Sequence, residues 1–257
     1  NTVIIDEVNM AKADVLKRLL TGPFAHCGIR WGLTGTVPKA DYEFMGLKCS
    51  IGEVANRIQA SELQDRGVLA NCHVNVLQTQ DHPQFKTYAE ELKWLTTDST
   101  RMSWIANTIK DIATSGNTLI LVDRISAGQL LEKKIKDSVF VSGSTKNVDR
   151  KEQYDEVSTA TNKVIIATYG VASVGINIPR IFNLVLIEPG KSFVRVIQSI
   201  GRGIRKAEDK DSVSIWDITS ACKFARRHLT QRKKFYKEAN YPYNIEKIDY
   251  ENPYTRK

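Results

Sequence analysis

The sequence predicts an α/β protein built on parallel sheets, and three features predict it. Residues 118–122, 164–167 and 183–187 are short, continuous apolar runs rich in β-branched side chains. Such runs suit strands buried on both faces, whereas a strand with one wet face alternates. Stretches of helical periodicity separate these runs, and a strand, helix, strand succession winds into a parallel sheet with helices on both sides. Directly after residue 167 the chain turns polar and glycine-rich, in Thr168-Tyr-Gly-Val-Ala-Ser-Val-Gly-Ile-Asn-Ile-Pro179. Open α/β sheets bind ligands beyond the carboxyl ends of their strands, so this loop falls where such a fold does its chemistry.

The elements follow in order. An apolar strand at 1–5 ends in the paired carboxylates Asp6 and Glu7. An amphipathic helix is expected at 11–20, then a strand at 29–33 ending in Thr34-Gly35-Thr36. A short helix over 61–68 stops at Gly67, and an alternating strand covers 72–78. These make a first lobe, residues 1–78. The polar stretch 79–100, carrying Pro83, reads as a linker. A second lobe, 101–220, reads as helix 103–114, strand 118–122, helix 127–136, strand 139–141, helix 150–158, strands 164–167 and 183–187, and helix 194–206. Residues 221–257 form a basic helix and a loosely held end.

At 257 residues the chain is long enough for two domains of ordinary size, and 42% hydrophobic content is typical of globular proteins. A net charge of +8 favours a polyanionic partner. No run approaches the roughly 18 apolar residues of a membrane span, and no leader opens the chain, so the expectation is a soluble, cytoplasmic protein with no membrane partner. Cys27, Cys49, Cys72 and Cys222 lack paired spacing and read as reduced structural thiols.

Several residue patterns suit phosphate chemistry, each with a plainer alternative. At a strand's carboxyl end Asp6 and Glu7 can reach one site, one serving Mg2+ and the other orienting water; the alternative is a strand ending in solvated acids. On the helix at 194–206, Val194, Ile197, Ile200 and Ile204 share one side, while Gln198, Arg202 and Arg205 share the other. Arginine forks match phosphate oxygens, though a solvated basic face is the ordinary alternative. Gly201 and Gly203 count against that alternative, because glycine within a helix costs about 1 kcal/mol and signals close approach. Arg124 and Ser126 follow a strand end, and Ser142-Gly143-Ser144-Thr145-Lys146 is a small hydroxyl-rich turn. Both suit backbone phosphates, or are common strand-to-helix turns with Asp149 as a helix cap. Residues 221–237 place Lys223, Arg226, Arg227, His228, Arg232, Lys233 and Lys234 around Phe224, Phe235 and Tyr236. That mixture suits a nucleic-acid groove or a docking helix with a wet basic face.

Asp6-Glu7, Thr34-Gly35-Thr36, the 168–179 loop and Gln198…Gly201-Arg202…Arg205, in that order, resemble motifs two, three, five and six of superfamily-two helicases. The spacing is most similar to UvsW-type branch-migration helicases of bacteriophages and to type I restriction and RecG-like motors. The resemblance covers residues 1 to about 220. It implies two RecA-like lobes, the first incomplete in this chain, with ATP in the cleft between them and nucleic acid across the opposite face. Carried over residue by residue, it implies that Asp6 holds Mg2+ through water and Glu7 positions the hydrolytic water. It implies that Asn9, Thr34 and Thr36 couple nucleotide to nucleic acid, and that Gly175 and Asn177 lie against the nucleotide. Gln198, Arg202 and Arg205 would reach the γ-phosphate, Arg205 as arginine finger. Arg124, Ser142, Gly143, Lys146 and Thr168 would touch nucleic-acid backbone.

Three departures stand out. Asn9 occupies a position where the family usually has histidine or aspartate, and Asn177 replaces a common aspartate. The chain also lacks a Gly-x-x-x-x-Gly-Lys-Ser/Thr loop. Gly190-Lys191-Ser192 imitates its end, but Val185 stands where the first glycine belongs. The expectation is therefore that the phosphate-loop half of lobe one lies upstream, and that these residues alone hydrolyse ATP hardly at all. The leading expectation is an ATP-dependent DNA helicase acting on branched, forked or duplex DNA in recombination, repair or replication. An RNA helicase of the same superfamily and a nucleic-acid-binding module without ATPase activity are the alternatives.

Overall fold

Among the described residues the strands are parallel throughout, in two sheets. The computed structural model describes residues 1–6, 8, 13–34, 41–58, 62, 66, 71–143, 160–173, 180–190 and 212–251. The chain divides into two units, Asn1–Ile58 and Gln59–Lys257.

In the first unit, β1 (Thr2–Ile5) pairs with β2 (Ile29–Gly32) in the register Thr2↔Ile29 to Ile5↔Gly32. Helix α1 (Ala13–Thr21) turns Leu16 and Leu20, four residues apart and therefore on one face, into a small core with Val3, Ile5, Val8, Leu47 and Ile51. The last two of these belong to α2 (Asp41–Ile51). The other face of the pair is uncovered: Ile4 and its register partner Trp31 are 65% and 53% exposed.

The second unit is a seven-stranded sheet of β3 (Asn71–Thr79), β4 (Thr118–Val122), β5 (Ser138–Val141), β6 (Val164–Thr168), β7 (Asn183–Ile187), β8 (Ser212–Ser220) and β9 (Tyr243–Ile248), in the order β5-β6-β4-β7-β8-β3-β9. Its described helices are α3 (Tyr88–Leu95), α4 (Ser99–Ala113), α5 (Ile125–Lys134), α6 (Tyr169–Ser173) and α7 (Lys223–Glu238). Alternate residues of the central strands serve opposite faces. Ile120, Val122, Ile166, Val185 and Ile187 pack with Met102, Ile105 and Ile109 of α4 and with Ala127 and Leu131 of α5. Leu119, Leu121, Ile165, Leu184, Leu186 and Ile215 pack with Val171 and Ala172 of α6 and with Leu229 and Tyr236 of α7. All five residues of β4 and of β7 are buried, as continuous apolar runs between two helical layers should be.

Three sequence expectations are corrected here. The strand expected at 72–78 does not pair with the first unit; β3 is hydrogen-bonded along nine residues to β8 and along six to β9. Its pairing partner is far along the chain, so local pattern carries no sign of it. The stretch 79–100 contains α3 and the start of α4. Thr87 and Glu90 form a reciprocal capping box, and Glu91, Leu92 and Leu95 are buried. The loosely held end contains β9, paired in parallel on the outer edge of β3. Pro242 precedes that strand, where its missing N–H costs no ladder bond, and its carbonyl accepts the Val74 N–H at 2.9 Å. The expected helices at 150–158 and 194–206, and nearly all of 61–68, lie outside the described residues. Cys27, Cys72 and Cys222 are buried and Cys49 is exposed. Among the described residues no helix is long and apolar enough to cross a membrane.

Candidate nucleic-acid interface

Three neighbouring strands, β5, β6 and β4, end at one level. Val122 is the register partner of Thr168, and Val141 that of Ala167. Parallel pairing therefore brings Arg124, Ser142, Gly143 and Thr168 to one rim at the carboxyl ends, although they are spread over more than forty residues of chain. Arg124 is the N-cap of α5 and makes no side-chain cap hydrogen bond; its Nη2 donates to the Ala89 carbonyl at 3.2 Å. Gly143 is exposed, with open space where a side chain would stand. Ser142 is buried, and Thr168 Oγ1 accepts the Val171 N–H at 3.4 Å. The rim combines a guanidinium, hydroxyls and accessible backbone, a donor set that suits phosphate oxygens. Lys146 lies outside the described residues.

Beside this rim, at the ends of β7, β8 and β3, sits a buried polar network that the sequence reading missed. Arg101 is fully buried on α4 and donates to Glu188 Oε1, to the Leu95 carbonyl and to Thr79 Oγ1, while its Nε lies 3.4 Å from Asp81 Oδ2. Asp81 also accepts from Ser220 Oγ and Tyr250 OH, each at 2.6 Å. Burial works against its charge, but the Arg101 guanidinium and the hydroxyl donors outweigh that and hold the carboxyl below its ordinary range. Asp217, within β8, takes Arg232 bidentately (Nε 2.8 Å, Nη2 3.0 Å) and the Tyr236 hydroxyl at 2.8 Å. Arg232 Nη1 reaches the Pro189 carbonyl.

Glu188 joins the two halves. It follows β7 with a φ of 44°, a left-handed conformation that is costly for a non-glycine residue, and continues the ladder through its N–H to the Ile218 carbonyl at 2.9 Å. Burial pushes its carboxyl up to about 7 despite the neighbouring Arg101 and Arg232. The network fixes the turn Glu188-Pro189-Gly190, from which the chain enters residues 191–211. Its sequence signal was a charge embedded in an apolar run, as in Leu-Val-Leu-Ile-Glu188 and Ile-Trp-Asp217-Ile. Such a charge must be paired when buried.

In the first unit Asp6 follows β1 and is exposed, and Thr34 lies two residues beyond β2. Glu7, Asn9, Thr36, Gly175, Asn177, Gln198, Arg202 and Arg205 lie outside the described residues. Gly190, first residue of the imitation phosphate loop, stands against Tyr88, whose hydroxyl would be 3.1 Å from an added Cβ.

Residues 100–207 match the family model of the helicase conserved C-terminal domain. Over 241 residues the chain is 27% identical to the ATP-dependent DNA helicase uvsW of Enterobacteria phage T4, a match covering 90% of this chain and 48% of that protein. The chain is thus similar to UvsW and carries a segment similar to the carboxyl-terminal domain of helicases. The crystal structure of T4 UvsW superposes with a TM-score of 0.62 at 22% identity, over 96% of this chain and 53% of UvsW. A fragment of a putative HsdR subunit of a type I restriction enzyme from Vibrio vulnificus superposes at 0.71 with 18% identity, over 97% and 48%. The chain thus spans about half the length of these relatives. Its seven-stranded parallel sheet has the fold of the RecA-like carboxyl-terminal helicase lobes.

Proposed function

We propose that this chain belongs to an ATP-dependent DNA helicase or translocase that remodels branched, forked or duplex DNA. The observation that carries the reading is the rim: three chain-distant segments bring Arg124, Ser142, Gly143 and Thr168 to the ends of three adjacent strands, with short donors and exposed backbone that suit phosphate. A motor needs that kind of grip, because it must move along any sequence. The relationship to a DNA helicase supports DNA as the polymer.

The nucleotide is ATP with Mg2+. Asp6, exposed at the end of β1, is the hard oxygen donor that Mg2+ takes while keeping its waters, and Glu7 beside it orients the attacking water. Gly175 and Asn177 bind the nucleotide, and Gln198, Arg202 and Arg205 neutralise its phosphates, Arg205 as the finger. Asn9, Thr34 and Thr36 couple nucleotide binding to the DNA. Bound ATP supplies the phosphoryl transfer to water that drives movement.

The test is binding of a forked DNA by the chain and by an Arg124→Ala, Thr168→Ala double variant across a salt series. The expected result is weaker binding by a similar factor on unrelated sequences, with the slope of log K against log salt smaller by about one. Unchanged binding removes the rim from the interface and overturns the reading. Loss confined to an RNA duplex of the same shape favours an RNA helicase instead.

A further inference from the structure

Helix α7 has two faces of opposite character. One is committed: Ala225, His228, Leu229, Arg232 and Tyr236 are buried, Arg232 and Tyr236 on Asp217. The buried Glu91 of α3 accepts the Phe224 and Ala225 N–H groups at 3.0 and 2.7 Å, so the helix is held along its length and at its start. The other face carries Lys223, Arg226, Arg227, Lys234 and Lys237 exposed and Lys233 half-buried, against one acid, Glu238. Among the described residues none of these six cations pairs with a carboxylate. Lys223 and Arg227 lie over the Phe224 ring, 5.5 and 6.0 Å from its centroid.

This face differs from the mixed-sign surface that solubility calls for. Positions 223, 227, 230, 234 and 237 step by four and three and so fall on one line along the helix, about 21 Å long at 1.5 Å per residue. Lys223 and Arg227, and Lys233 and Lys237, are like charges at i, i+4, which destabilise a helix. Lys223 and Arg226 also sit in its first turn, where the macrodipole disfavours cations. A polyanion laid along the line would relieve both costs, and over about 21 Å a DNA duplex offers roughly twelve phosphate charges. The line starts beside the rim. Arg124 donates to the carbonyl of Ala89, and the neighbouring Tyr88 packs edge-on against His228 and Phe224, with ring centroids 4.9 and 6.3 Å apart.

We propose that the outward face of α7, on the line Lys223–Arg227–Lys234–Lys237, is a second nucleic-acid contact that grips the backbone of duplex DNA beyond the strand-end rim. It rests on the reading of the protein as a DNA-binding motor and adds a surface to it. The contact is sequence-independent, since cations that meet backbone phosphate meet the same charge on every sequence.

The experiment compares three forms of the chain on a 30-base-pair duplex across a salt series. One is unaltered, one carries Lys223, Arg227, Lys234 and Lys237→Ala, and a control carries Lys93, Lys110, Lys133 and Lys136→Ala, four exposed cations on or next to α3, α4 and α5. The α7 variant should bind at least about tenfold more weakly, with a salt slope smaller by up to about 3.6. Its melting temperature should be equal or higher, because the substitutions remove repulsion and introduce alanine, which excludes misfolding as the cause. The control, with the same net charge, should lose far less. Equal losses in both quadruple variants, or an α7 variant that binds like the unaltered chain, overturn the inference and leave the rim reading intact. Absence of DNA binding by the unaltered chain sinks both.

Discussion

Glu188 is a carboxylate that has lost its water and gained two arginines. Burial dominates, raising its carboxyl from 4.5 to about 7. Between those values the folded chain keeps a proton that the unfolded chain has released, so this residue's contribution makes stability fall as pH rises through the window and level off above it. Asp81 has the opposite, depressed behaviour, and its contribution is lost as pH falls. Urea unfolding of the chain and of Glu188→Gln between pH 4.5 and 7 separates the two, since the Asp81 effect is common to both proteins. The difference in stability, unaltered minus variant, should decline across the window; a flat or rising difference would show that Glu188 is ionised throughout. Residue types carried half of this story. The charges of Glu188 and Asp217 within apolar segments signal burial, but Arg101 follows a polar stretch, and its partner is 87 residues away, where no local pattern names it. The rim residues Arg124, Ser142, Gly143 and Thr168 were legible because each directly follows a readable strand.

At the scale of elements, the strongest dependence is that of α7 on α3. Cys222, the N-cap of α7, makes no side-chain cap hydrogen bond, and the buried Glu91 takes its place from another helix. Glu91→Ala leaves N–H groups of a buried helix start without acceptors and opens a cavity, and should cost about 2–4 kcal/mol by urea midpoint. Glu91→Gln retains one carbonyl acceptor and should cost less. A Glu91→Ala variant within about 0.5 kcal/mol of the parent would mean that the start of α7 finds other acceptors. Both α3 and β9 eluded the sequence reading for physical reasons. In α3 a capping box and a buried carboxylate give the composition of a polar linker. In β9 most side chains are exposed on a sheet edge, so period-two alternation is absent. The fully buried β4, β6 and β7 were legible as apolar runs.

For the whole molecule, the parallel architecture was evident from the succession of runs and helices, whereas the division of the chain was not. The sheet partner of Thr79 is Ser220, far along the chain, and that pairing assigns β3 to the larger unit. On the proposed reading, the rim and the basic helix concentrate part of the +8 net charge where backbone phosphate can use it. The central claim is that this grip is coupled to ATP hydrolysis. The most direct measurement is ATP hydrolysis stimulated by branched DNA in the longest natural form of the protein, alongside the same form carrying Arg205→Ala. Hydrolysis that depends on DNA and falls on the order of 10³-fold in the variant is the predicted result. Tight DNA binding by the long form with no hydrolysis would contradict it and leave a nucleic-acid-binding module in place of a motor.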